Sequence, residues 1–276
     1  MRYLITITIF LVGVGQATAQ PNCEAYKYED NQPCYDACVI ATTSTGSQGS
    51  RVSQEDFDKA INLCPTFAYA YFQKAIPYLK RGDFITWKKI IDQAVNISPS
   101  EYLGYRGWCR YQFVRDYEGA IRDFNALEQI MPQNIGYSIN GDYHLTVVKA
   151  LCYKAIGDTT IAIRILEDHV SKKDYSEFTY DFLHLGVMKF ETGKIDEAIS
   201  DLNRSIRYNP QLAESHYYLG LCFKAKKKLA DASNHLQKAL ELYQNGNGRF
   251  DPYTHPMDKI FVVEIEEQLK LLAKVD

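Results

Sequence analysis

The sequence predicts an all-α fold, an α-solenoid of helical hairpins with a capping helix at its C-terminal end. Three observations predict it: a self-similarity with a period of 34 residues, glycines that mark tight turns midway through the units, and apolar residues at three- and four-residue spacing after those turns. Laid over one another without a gap, 179–212 and 213–246 match Leu185 with Leu219, Gly186 with Gly220, Ala198 with Ala232, Leu202 with Leu236 and Ile206 with Leu240. The same offset relates Ala60 to Ala94, Leu63 to Ile97 and Pro65 to Pro99.

Units fall near 68–100, 101–134, 143–176, 179–212 and 213–246, with a degenerate one near 34–67. Gly82-Asp83, Gly157-Asp158 and Gly193-Lys194 sit between the two helices of three units, where glycine relieves the left-handed backbone a helix end often requires. Ile195, Ala198, Ile199, Leu202 and Ile206 give one second helix its apolar stripe, and Pro65, Pro99, Pro132 and Pro210 close four units. Gly186, Gly220, Ala198 and Ala232 lie where two helix backbones must approach closely.

Departures from the period carry their own expectations. An extra residue near Val114-Arg115 and the insertion 135–142 should change the superhelix curvature. Pro77, inside a first helix, predicts a kink or local break, and the Ser/Thr/Gly-rich run Thr42–Ser50 predicts a long mobile loop. After the last unit, Asn245-Gly246-Asn247-Gly248 reads as a turn and Asp251–Pro256 as a stiff connector. Met257–Val275 reads as a final helix whose Ile260, Val263, Ile265, Leu269 and Leu272 cap the last hairpin.

The stretch Phe182-x-x-Leu185-Gly186, followed by Gly193-Lys194-Ile195-Asp196-Glu197-Ala198-Ile199 and Asn209-Pro210, resembles the signature of the tetratricopeptide repeat family. The resemblance extends over most of the chain after residue 19. It implies a right-handed coil of paired helices whose first helices line a concave groove, and it implies partner binding without specifying the partner. Some members hold a peptide C-terminus with a Lys, Arg and Asn clamp. Here the matching positions are mainly aromatic or aliphatic, with Gln73 and Lys80 as partial exceptions, so that mode is disfavoured.

Residues 1–19 have the layout of a secretory signal: Arg2, an apolar run from Tyr3 to Val14, then Ala17-Thr18-Ala19, with cleavage expected after Ala19. The run is shorter than the roughly 20 residues a membrane-spanning helix needs. Loss of the leader leaves 30 basic against 34 acidic residues, which offers no nucleic-acid footprint. The run Lys224–Lys228 sits at a predicted helix end, where cations complement the helix dipole.

Seven cysteines follow the leader. Cys109, Cys152 and Cys222 each lie two residues after Gly107, Ala150 and Gly220, a shared phase that predicts buried thiols. Cys23, Cys34, Cys38 and Cys64 cluster at the N-terminal end, and in an oxidising compartment they form cross-links. Antiparallel packing brings Cys64 to Cys38 or Cys34, with Cys23 taking the remaining one; the alternative is that all seven stay reduced.

No His-Glu-x-x-His, Gly-x-Ser-x-Gly or phosphate-cradling glycine loop is present, and the six histidines are scattered. Neither a cofactor nor a metal is expected, and the chain reads as non-catalytic. The expected binding surface is the concave wall: Tyr69, Phe72, Tyr105, Trp108, Tyr111, His144, Tyr180, His184, Tyr217 and Tyr218. Aromatics give large contact area with few rotamers to lose, which suits a protein or extended peptide partner. Arg106, Arg110 and Arg115 flank Trp108 and offer charge for an acidic partner. The first reading is a scaffold acting in the periplasm or at the cell surface. The alternative is a glycan- or small-ligand-binding solenoid, and an enzyme is the remote third.

Overall fold

The computed structural model describes residues 20–274; the predicted leader lies outside them. A short α1 (Glu24–Tyr28) precedes six hairpins: α2 (Gln32–Thr43) with α3 (Arg51–Leu63), α4 (Ala68–Lys80) with α5 (Phe84–Ile97), α6 (Pro99–Cys109) with α7 (Tyr117–Ile130), α8 (Leu145–Ala155) with α9 (Thr159–Val170), α10 (Asp181–Glu191) with α11 (Ile195–Tyr208), and α12 (Ala213–Ala225) with α13 (Leu229–Gln244). α14 (Val262–Leu272) covers the end. Each hairpin packs on itself and on the next, as the all-α solenoid expectation requires.

The repeat phase maps onto burial. Leu185, Leu219, Ala198, Ala232, Leu202 and Leu236 are all buried. A Cβ on Gly186 would stand 2.7 Å from Leu202 Cγ, and one on Gly220 2.8 Å from Leu236 Cγ. The turn between paired helices uses a left-handed residue: Gly82, Gly157 and Gly193 in three hairpins, and Arg115 and Lys227, both at φ 58°, in two that lack glycine.

The extra residue near Val114-Arg115 is absorbed by a π-helical turn, Arg110–Val114, closed by the Asp116 amide donating to the Arg110 carbonyl at 3.0 Å. The insertion 135–142 folds into a small loop in which Tyr137 and His144 form an isolated antiparallel bridge, the one β feature among the described residues. α4 runs through Pro77 without the local break, one of the two outcomes expected there. Pro77 lies in the last turn, and its buried ring packs against Gly49, whose absent Cβ would otherwise meet it at 2.7 Å. The run Thr42–Ser50 is also shorter as a loop than expected and is tied down. Thr42 and Thr43 finish α2, Ser44 donates to Asp56 at 2.9 Å, and Arg81 donates to the Gly49 carbonyl at 2.7 Å.

α14 begins at Val262, five residues later than the sequence pattern suggests, because Met257 and Asp258 turn away into the body of the molecule. Ile260, Ile265 and Leu272 are buried against α12 and α13, while Val263 points outward.

Cys109, Cys152 and Cys222 are free and buried. Cys23 is bonded to Cys38 and Cys34 to Cys64, pinning α1, α2 and α3 around a small separate core. Closing loops of 15 and 30 residues restricts the unfolded N-terminal hairpin by about 3 kcal/mol each in the chain-entropy picture. Replacing Cys34 and Cys64 by Ser is therefore expected to destabilise this hairpin by about 2–4 kcal/mol. Hydrogen exchange should show protection lost in α1–α3 and retained in α10–α13.

Candidate functional site

First helices approach each other from hairpin to hairpin, α6 with α8, α8 with α10 and α10 with α12, whereas successive second helices do not meet to that extent. The first helices therefore form the inner wall of the coil. Two aromatic ladders run along it. The N-terminal one passes from Tyr26 through Phe67 and Tyr69 to Phe72, whose ring lies 5.1 Å from Tyr102 and 4.8 Å from Tyr105. The C-terminal one joins Tyr111, Trp108, Tyr143, Tyr180 and His184 at centroid distances of 5.6–6.4 Å.

The second ladder is covered. The non-helical segment 245–261 leaves α13, crosses the wall over α12, α10, α8 and the π-helical turn after α6, and returns to α14. Its anchors are polar. The Arg249 amide donates to Glu214 Oε1 at 2.8 Å, and its guanidinium donates to Tyr143 Oη and the Met257 carbonyl and lies 4.2 Å over the Tyr180 ring. Gln112 donates to Asp251 and Thr254 at 3.2 and 2.6 Å. Asp258 accepts from Lys154 Nζ and from His184 Nδ1, each at 2.6 Å. Phe250 and Tyr253 point away and are about 80% exposed, at 79% and 83%.

This network sets the charge states. Burial pushes His184 down to about 4, against the pull of its Asp258 hydrogen bond, so the ring is neutral at pH 7. Burial alone would raise Asp258, but the His184 hydrogen bond and the Lys154 charge bring it down to about 2. Asp258 therefore stays ionised against Lys154, with His184 donating from Nδ1 and Tyr143 Oη 3.3 Å from Nε2.

Of the wall residues expected from sequence, Trp108, Tyr111, His184 and Tyr217 are buried, the first three beneath the crossing segment and Tyr217 in the cap core with Ile260 and Ile265. Tyr180 and Tyr218 are partly exposed, as are Tyr69, Phe72 and Tyr105 at the far end. His144 sits apart. It caps α8, accepting from the Thr146 amide at Nδ1, and its ring packs 4.4 Å from His169 beside a cavity of about 50 Å³. Arg106 is bound to Asp92 and Asp123, and Arg110 to Asp123, so two of the three flanking arginines are spent on internal ion pairs. Tyr143, Lys154, Glu214, Arg249 and Asp258 were not singled out by sequence. The available signal was the length of the segment: 17 irregular residues is long for a connection inside a compact domain. Among the described residues, no three His, Cys, Asp or Glu side chains converge as metal ligands, and no helix is long and apolar enough to cross a membrane.

The sequence model of the TPR repeat family matches residues 186–227, which span the α10–α11 hairpin and most of α12. Solved structures with the same fold include MamA from Desulfovibrio magneticus RS-1, at TM-score 0.55 and 18% identity over 64% of this chain and 96% of that one. Residues 186–227 thus match the tetratricopeptide repeat, and the described chain has the fold of a tetratricopeptide-repeat solenoid. PilF of Pseudomonas aeruginosa matches at TM-score 0.56 and 12% identity, over 89% and 94% of the two chains. The Cut9–Hcn1 hetero-tetramer of APC/C matches at 0.54 and 15%, over 91% of this chain and 45% of that one. At these identities the likeness concerns fold. No curated protein matches the sequence.

In this tetratricopeptide-type solenoid several buried histidines give stability a definite pH dependence. Burial, and for His144 the neighbouring His169, pushes His144 to about 3; burial pushes His169, His184 and His216 to about 4. Unfolded, these rings take protons near 6.5, so below that pH the unfolded chain binds more protons and stability falls with pH. Asp181, raised by burial to about 7, acts in the opposite sense, as do Asp123, Asp142, Glu191, Asp201 and Glu214, which burial also raises, while His235, lowered by burial, adds to the other histidines. The melting temperature is expected to drop between pH 7 and pH 5, and a flat profile over that range would contradict these ring environments.

Proposed function

We propose that the protein is a non-catalytic scaffold that binds a protein or extended peptide along its inner wall, acting outside the cytoplasm. The observation that carries this reading is that the wall of α6, α8, α10 and α12 already holds an irregular stretch of polypeptide, by side-chain anchors on both partners. A surface that orders one such segment has the chemistry to order another. The leader-like residues 1–19 and the two disulfides support an oxidising, exported setting.

The wall left open lies at the N-terminal end, around Tyr69, Phe72 and Tyr105, and we assign partner contact there. These rings are partly exposed, adjacent and backed by buried Tyr102. A glycan site finds less support: the cavity between the crossing segment and the wall measures about 40 Å³, room for one or two waters rather than a sugar ring.

The test is co-purification from the native envelope with wild type and a Tyr69→Ala, Phe72→Ala double variant. Partners should be lost from the variant while its helical circular dichroism is unchanged. Retention of every partner by a folded variant would contradict the assignment.

A further inference from the structure

We propose that residues 247–258 are an intramolecular ligand of the wall, and that the wall beneath them takes a partner segment of the same chemistry: an arginine for the seat between Tyr143 and Tyr180 and, farther along, a carboxylate for Lys154 and His184. The inference rests on the reading of the wall as a peptide-binding surface and adds a second seat and the partner's side chains.

The segment is built to be held and released. Its ends are fixed, one by α13 and the other by Ile260, which is buried with α14 in the cap core. Between them lie Asn247-Gly248 at one end, two prolines, and no regular secondary structure, so 247–258 leaves the wall as a loop without unfolding a helix. Apart from Met257, which packs against the core, the contacts that seat it are hydrogen bonds and ion pairs, which water and the freed side chains restore in large part on release. Its two largest apolar side chains, Phe250 and Tyr253, contribute almost nothing to the seating, since both stand in solvent. A segment evolved only to fill the wall would turn those rings inward.

The wall under it is complementary in detail. Tyr180 offers a ring face and Tyr143 a phenol oxygen to a guanidinium, Glu214 takes a backbone amide, and Lys154 with His184 receives a carboxylate. Arginine over an aromatic face is favourable where water is excluded, and Arg249 lies 4.2 Å over the Tyr180 ring. A competing segment with its own arginine and acid therefore recovers the guanidinium and carboxylate contacts that the strap gives up.

The test uses the full mature chain and a fluorescent peptide copying residues 247–260. Anisotropy should show the peptide binding an Arg249→Ala, Asp258→Asn double variant at least tenfold more tightly than wild type, with binding lost when the peptide itself carries Arg249→Ala. Equal binding to wild type and a variant with unchanged circular dichroism would overturn the proposal. Hydrogen exchange on wild type decides the matter independently of how the variant folds. The Arg249 amide, which donates to Glu214 of the wall, is expected to exchange at least 100-fold faster than the amides of α12 and α13, and equal protection would overturn the proposal. No native partner enters either measurement, so their failure leaves the Tyr69 and Phe72 assignment standing, and the reverse also holds.

Discussion

The close approach of paired helices at positions without a side chain is the constraint on which the rest depends. Gly186 faces Leu202 and Gly220 faces Leu236 at distances a Cβ would not permit, and Ala198 and Ala232 complete the same contact from the other helix. Because that contact recurs at the 34-residue offset, successive hairpins close on themselves in the same way and present like outer faces to one another, which stacking buries and no single hairpin buries alone. The phase that puts Leu and Gly into the seam also puts the intervening positions of each first helix on the inner wall. Fold and candidate surface are thus two sides of one periodicity.

What the wall does with that position differs along the coil. At the N-terminal end, disulfides hold a small hairpin whose own core is slight, and the aromatic ladder from Tyr26 to Tyr105 remains partly open. At the C-terminal end the chain returns across its own wall and buries Arg249, Asp258, Lys154 and His184 together. Buried charges cost desolvation that their attraction barely returns, so this arrangement is weak as a source of stability. It is strong as a way of fixing which segment lies there and in which direction.

The fold was legible in sequence because a solenoid repeats its physics. Leu185 and Leu219, or Gly186 and Gly220, announce the same packing twice, and the αL turn shows itself wherever glycine occupies it. It was silent where Arg115 and Lys227 adopt the same backbone without glycine. The crossing segment was legible only as an absence of periodicity between Asn245 and Phe261, because its anchors pair residues 35 to 142 positions apart and no local pattern encodes them. Met257 reads as helix by composition, and tertiary contact draws it instead into the strap. His144 shares the phase of the wall, yet the insertion 135–142 that precedes it turns its ring toward His169.

The most direct measurement of the central claim is the stability of Gly220→Val. A branched side chain there meets Leu236 and the Ala232 carbonyl, so the account predicts a loss of about 1–3 kcal/mol from overpacking and, in hydrogen exchange, loosening centred on the α12–α13 seam. Unchanged stability with unchanged protection of that seam would contradict the account, since the helices would then not be held at the distance on which the whole stack is built.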